Sequence, residues 1–110
     1  MINRLIDAFR KMDYAAVKNC FEDSDKVQYI DYCPINVGFD NYFIYGSNAI
    51  EIFFRSSFAN NTFSIYEEQI ENDNNATFFG CHNSKFYFAR LTIEELGYNG
   101  LIKKVVVRPV

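Results

Sequence analysis

Tryptophan is absent from this chain, proline occurs twice, histidine once and cysteine three times. Each scarcity excludes something. An odd number of cysteines at irregular spacing, Cys20, Cys33 and Cys81, does not make a disulfide framework. It points to a reducing compartment, so a cytoplasmic location is expected. One histidine and scattered cysteines are a poor supply for the three or four ligands of a zinc site. Asp73-Asn74-Asn75 lacks the glycine and distal glutamate of a calcium loop and reads as a turn. Neither a metal nor a cofactor is expected.

Long apolar runs are missing too, and nothing approaches membrane-spanning length. The first ten residues carry Arg4, Asp7 and Arg10 through their apolar pattern, which reads as an amphipathic helix and not a signal peptide. Positive charge is sparse, with 11 Lys and Arg against 14 Asp and Glu, a net charge of -3. The one basic cluster, Lys103, Lys104 and Arg108, alternates with valines as a solvated strand face would. Nothing is dense enough to track a phosphate backbone, so neither nucleic acid nor a membrane surface is an expected partner.

Aromatic residues, by contrast, are abundant: 12 Phe and 8 Tyr among 110 residues. So many rings must fill a wide core, line a concave cavity or cover a partner surface. Hydrophobic residues at 49% and charged residues at 23% mark a globular chain. Its length predicts one domain over residues 1–110.

Ile2, Leu5, Ile6 and Phe9 recur at helical spacing. Asp13 is a candidate N-cap for a second short helix carrying Val17, Cys20 and Phe21. Gly46-Ser47, a turn residue and then a cap candidate, precedes a third helix with Ile50, Phe53, Phe54, Ser57 and Phe58 on one face. Asn60-Asn61 ends it. Strands are expected at Val27 to Tyr32, Thr62 to Glu71, Ala76 to His82, Lys85 to Leu96 and Leu101 to Arg108, with a short one at Tyr42 to Tyr45. Asn72 to Asn75 reads as a turn that exploits the tolerance of Asn for positive φ, and Asn83-Ser84 as a tight hairpin. Short connections make the later strands antiparallel neighbours, and the whole an α+β domain with helices on one face of a curved sheet.

Three anchors in order resemble the NTF2-like (SnoaL-like, cystatin-like) family. Asp13-Tyr14-Ala15-Ala16-Val17 with Phe21 is similar to the turn between its first two helices. Tyr45-Gly46-Ser47-Asn48-Ala49-Ile50 with Phe53-Phe54 is similar to its third helix, and Asn99-Gly100-Leu101-Ile102 through Val107 to its terminal strand. The resemblance implies a cone: three N-terminal helices packed on a strongly curved, mainly antiparallel sheet around a cavity. It also implies frequent dimerisation through the sheet, and no single activity, because function on a shared fold resides in the grafted site. A small apolar or aromatic molecule is the expected occupant of the cavity, with Tyr29, Phe54, Phe58, Tyr66 and Arg90 as ligand-contacting residues. The alternatives are a dimeric interaction module, or a small isomerase, cyclase or dehydratase.

For catalysis the candidates are Asp31 and His82. Asp31 shares a strand face with Val27 and Tyr29, where burial would raise its pKa towards that of a general base. By the resemblance it falls at the base position of the steroid isomerases. The other two positions of that set fall near Ile6 and on Ala89-Arg90-Leu91-Thr92, which supply neither hydroxyl nor acid, so that chemistry is disfavoured. His82 titrates near neutrality and could relay a proton with Asp31, although its place beside the Asn83-Ser84 turn predicts an exposed tip. Arg90, in an aromatic strand, could pair with Asp31 or a Glu, or bind an anion. Glu67, Glu68 and Glu71 read as a solvated face. Cys81 and His82 point to opposite faces as strand neighbours, so the thiols read as inert. Phe86 and Phe88 alternate with Tyr87, Ala89 and Leu91. Both faces of that strand are then apolar, which predicts a homodimer.

Overall fold

The spacing of Ile2, Leu5, Ile6 and Phe9 builds helix α1 (Ile2–Arg10), which buries all four in the computed structural model of residues 1–110. Met12, at φ 54°, reverses the chain after it. Asp13 caps helix α2 (Tyr14–Asn19) by accepting a hydrogen bond from the Ala16 amide at 3.0 Å. Helix α3 (Ser47–Ala59) buries Ile50, Phe54, Ser57 and Phe58, as the stripe predicts. Its cap differs from expectation. Gly46, at φ 96°, takes the N-cap place and Ser47 is the first helical residue. The Ser47 hydroxyl instead donates to Asp23 at 3.2 Å, tying the helix start to the loop before the sheet.

Six strands form one sheet: β1 (Gln28–Asp31), β2 (Tyr42–Tyr45), β3 (Phe63–Ile70), β4 (Asn75–His82), β5 (Lys85–Leu96) and β6 (Ile102–Pro109). Their order is β2-β1-β6-β5-β4-β3, and every pairing is antiparallel except that of β1 with β6. Asn83 and Ser84, at φ 48° and 69°, form the two-residue turn whose twist suits a right-handed hairpin. The Asn72–Asn75 turn does not use positive φ. Its closure is by side chain: Asn72 Oδ1 accepts from the Asn74 amide and from Asn75 Nδ2, both at 2.9 Å. Positive φ falls instead on Glu67 (53°), inside a bulge that shifts the β3–β4 register between Tyr66 and Gln69.

Alternation along β5 sets the two faces of the sheet. Tyr87, Ala89, Leu91 and Ile93 are buried against the helices, whereas Phe86, Phe88 and Arg90 are exposed on the outer face. The inner face curves around a knot of rings. Phe54, at 0% exposure, lies 5.3 Å from Phe9, 5.1 Å from Tyr29, 5.5 Å from Phe58 and 6.2 Å from Phe63 between ring centroids. No helix is long and apolar enough to cross a membrane.

Candidate functional site

At the end of β1 the chain must leave the sheet, and Pro34 enforces this by opening a 3₁₀ turn (Pro34–Val37). Gly38, at φ 91°, closes that turn, and the backbone folds back to enter β2. Asp31 is the last residue of β1 and lies directly opposite Tyr42, the first of β2. The two side chains therefore project from one face of the sheet. Asp31 is 2% exposed and accepts a hydrogen bond from the Cys33 amide at 2.9 Å. No cation pairs with it. Desolvation by burial raises its pKa to about 6, against the lowering effect of the Cys33 hydrogen bonds.

The Tyr42 hydroxyl reaches His82 at the end of β4, 2.8 Å from Nε2 and 3.2 Å from Nδ1. Burial and the neighbouring Asp31 charge together raise the Tyr42 pKa to about 12, so it remains a neutral hydroxyl. His82 is 5% exposed, and burial lowers its pKa below 6.5, favouring the neutral imidazole. Phe39, carried by the segment between the 3₁₀ turn and β2, sits edge-on to the imidazole with centroids 4.7 Å apart. Lys85 holds its ammonium 5.8 Å from the Phe39 ring.

Tyr87 belongs to the same neighbourhood. Its ring lies over Gly80, where a Cβ would fall 2.4 Å from Cε2. Burial first, and then the charge on Asp31, push its pKa upward. The buried Cys33 thiol is pushed up by the same two causes. A buried carboxyl thus shares its neighbourhood with neutral groups, the phenols of Tyr29, Tyr42 and Tyr87 and the Cys33 thiol. It has the pKa of a weak general base near neutrality, with no metal-binding cluster around it.

The sheet order, the wrapping helices and the parallel β1–β6 junction decide which known architecture this is. The chain has the NTF2-like fold. It superposes on a SnoaL-like protein of unknown function from Burkholderia thailandensis with a TM-score of 0.66 at 12% identity, covering 98% of this chain and 89% of that one. An NTF2-like protein of unknown function from Cytophaga hutchinsonii gives 0.63 at 14% identity, covering 99% and 86%. A Thiobacillus denitrificans protein described as a calcium/calmodulin-dependent protein kinase type II association domain gives 0.55 at 13% identity, covering 99% and 91%. No family model matches the sequence, and no curated protein matches it.

Within this NTF2-like frame the predicted site residues separate into three groups. Asp31 and His82 come to one neighbourhood, but no hydrogen bond joins them, and Tyr42 stands next to both. His82 is not an exposed tip: Phe39 and Tyr42, from a segment 40 residues earlier, cover it. Tyr29, Phe54 and Phe58 face the interior as expected, yet they fill the cone where a lined cavity was expected. The two concavities of the molecule lie elsewhere. One, of about 250 Å³, is lined by Glu22, Ser24, Lys26, Gln28, Glu95 and Lys103, and the other by the loop at Asp23–Asp25 and the start of α3.

Tyr66 and Arg90 form the third group, on the outer face away from Asp31. Tyr66 packs 5.8 Å from Phe86, and Arg90 donates to Glu71 at 2.8 Å, the Glu partner and not the Asp31 one. Cys81 is half-buried on this face also. Sequence reasoning missed Tyr42, Tyr87 and Cys33 as companions of Asp31. For Tyr87 the available signal was strand alternation with Ala89 and Leu91, which places it on the inner face.

Proposed function

We propose that this NTF2-like chain is a self-associating interaction module, a homodimer formed through the outer face of its sheet. One observation carries this reading. Tyr66, Phe79, Phe86 and Phe88 lie together on three adjacent outer strands, each at least 38% exposed and Phe86 at 62%. Tyr66 stacks near Phe86 at 5.8 Å, and Phe79 near Phe88 at 4.8 Å. Contiguous exposed rings on a sheet face mark an association surface. The filled interior supports the same reading, because the rings occupy the space an enclosed ligand would need. The similarity to a protein described as an association domain is consistent with it. Light scattering at micromolar concentration should give a mass above that of one chain, and Phe86→Glu with Phe88→Glu should lower it while leaving the chain folded. A monomeric wild-type chain overturns the proposal.

A second reading rests on Asp31. A buried carboxyl with a pKa of about 6, beside the Tyr42 and Tyr87 hydroxyls, suits proton abstraction by a small isomerase, cyclase or dehydratase. Thermal-shift screening with aromatic acids and steroids tests it. A midpoint rise that Asp31→Asn abolishes supports the reading, and no rise with any compound overturns it.

A further inference from the structure

The two edges of the sheet are built differently. The β3 edge carries a bulge with Glu67 at φ 53°, and Glu68 beside it reaches Arg10 of α1 at 3.5 Å. Bulges and inward or flanking charges are the usual means of stopping an edge from pairing. The β2 edge, Tyr42-Phe43-Ile44-Tyr45, has no charge, no proline and no bulge.

Its hydrogen-bonding phase follows from the neighbours. The Gly46 amide donates to the Val27 carbonyl at 2.8 Å, and the Tyr32 amide donates to Val107 on β6 at 2.9 Å. Backbone groups of alternate residues point to alternate sides of a strand. Tyr29 and Asp31 therefore bond towards β2, and their partners Ile44 and Tyr42 bond back. The N–H and C=O groups of Phe43 and Tyr45 are left pointing outward along the edge.

We infer that the β2 edge pairs antiparallel with the β2 edge of a second copy, with the two-fold axis at Ile44. Parity excludes every register that sets an outward residue against an inward one, and among the rest this one alone engages both outward residues of each strand. Only residues whose backbone groups point outward can exchange hydrogen bonds, so Phe43 stands opposite Tyr45 of the second copy and Ile44 opposite Ile44. Four hydrogen bonds form, and the two sheets continue as one. Phe43 and Tyr45, at 53% and 56% exposure, become cross-strand ring pairs on the outer face. Tyr32, T-shaped to Phe43 at 5.7 Å, extends that row. The absence of charge on β2 leaves nothing to repel an identical strand. This contact is at the opposite edge from Tyr66, Phe79, Phe86 and Phe88, and it does not depend on association through them.

Register-specific cross-linking tests the pairing, in full-length protein carrying Cys81→Ser so that the two remaining thiols are buried. Across an antiparallel pair, directly opposed non-hydrogen-bonded residues have Cα atoms about 4.5 Å apart, within disulfide reach. Ile44→Cys should form a covalent dimer under mild oxidation. Phe43→Cys should not, because its own copy lies two residues along, roughly 8 Å away and outside that reach. Random collision predicts the reverse, since Phe43 is the more exposed. Phe43→Cys with Tyr45→Cys should cross-link again, and it keeps the test valid if Ile44→Cys misfolds. Adding Phe86→Glu and Phe88→Glu should leave the cross-link unchanged. Equal cross-linking of the single variants overturns the inference, as does none in either Ile44→Cys or the double variant.

Discussion

The Tyr42 hydroxyl and Nε2 of His82 lie 2.8 Å apart across 40 residues of sequence. One is the first residue of β2 and the other the last of β4, two strands with three others between them in the sheet. Only a sheet curled back towards itself brings them together, so this bond measures the closure of the cone. Tyr42→Phe keeps the ring that packs 4.7 Å from Phe53 and removes the hydroxyl alone. Removing one partner of this partly buried bond should cost about 1–2 kcal/mol. Urea unfolding of the two proteins checks this, and an unchanged midpoint would contradict it.

Asp31 should make the protein less stable as pH rises. Its folded pKa of about 6 lies above the ordinary 3.8, so between these values the native state holds a proton that the unfolded chain has lost. The stabilisation is fully present below the unfolded value and is gone once pH passes the folded one. The shift corresponds to on the order of 3 kcal/mol. Tyr42, Tyr87 and Cys33 stay neutral throughout this range, since all three are pushed upward. Asp31→Asn should abolish the decline between pH 4 and 7, measured by urea unfolding at several pH values.

His82 acts in the opposite direction. Its pKa is depressed by burial, so its contribution is present above 6.5 and is lost as pH falls and the unfolded imidazole gains a proton. In the Asp31→Asn background this is the remaining effect in the site, and stability should then rise with pH through 6.5. An NMR titration of the single histidine should place its midpoint below 6.5.

Gly80→Ala distinguishes backbone entropy from packing. Replacing a strand glycine by alanine ordinarily gains about 0.5–1 kcal/mol. Here the new methyl would stand 2.4 Å from the Tyr87 ring, which is wedged in the site and cannot swing away like a surface chain. The expected outcome is therefore a loss of about 1–3 kcal/mol. A gain in thermal midpoint would show that Tyr87 is free to move.

Phe54→Ala should be the most damaging single truncation, at about 3–5 kcal/mol. Phe54 is fully buried and touches Phe9, Tyr29, Phe53, Phe58 and Phe63, so the cavity left behind borders α1, β1, α3 and β3 at once. Chemical denaturation provides the measurement, and a cost below 1 kcal/mol would mean that these rings collapse into the gap.

Local periodicity determined much of this protein. The 3.6-residue spacing of Ile2, Leu5, Ile6 and Phe9 specifies α1 and the face it buries. Period-two alternation places Tyr29 and Asp31 together, and Tyr87 with Ala89 and Leu91. Asp13 and Asn83-Ser84 act through bonds and dihedrals within a few residues, so their roles are legible in the chain itself. What the tertiary structure decided depends on contacts between distant segments. His82 is buried only because the chain between Asp31 and Tyr42 folds over it and lays Phe39 against the imidazole. Composition left open whether twenty rings would line a cavity, fill a core or cover a surface. The curvature of the sheet settled that, by closing tightly enough for Phe9, Tyr29, Phe54, Phe58 and Phe63 to meet, while the turn of β5 left Phe86 and Phe88 outside.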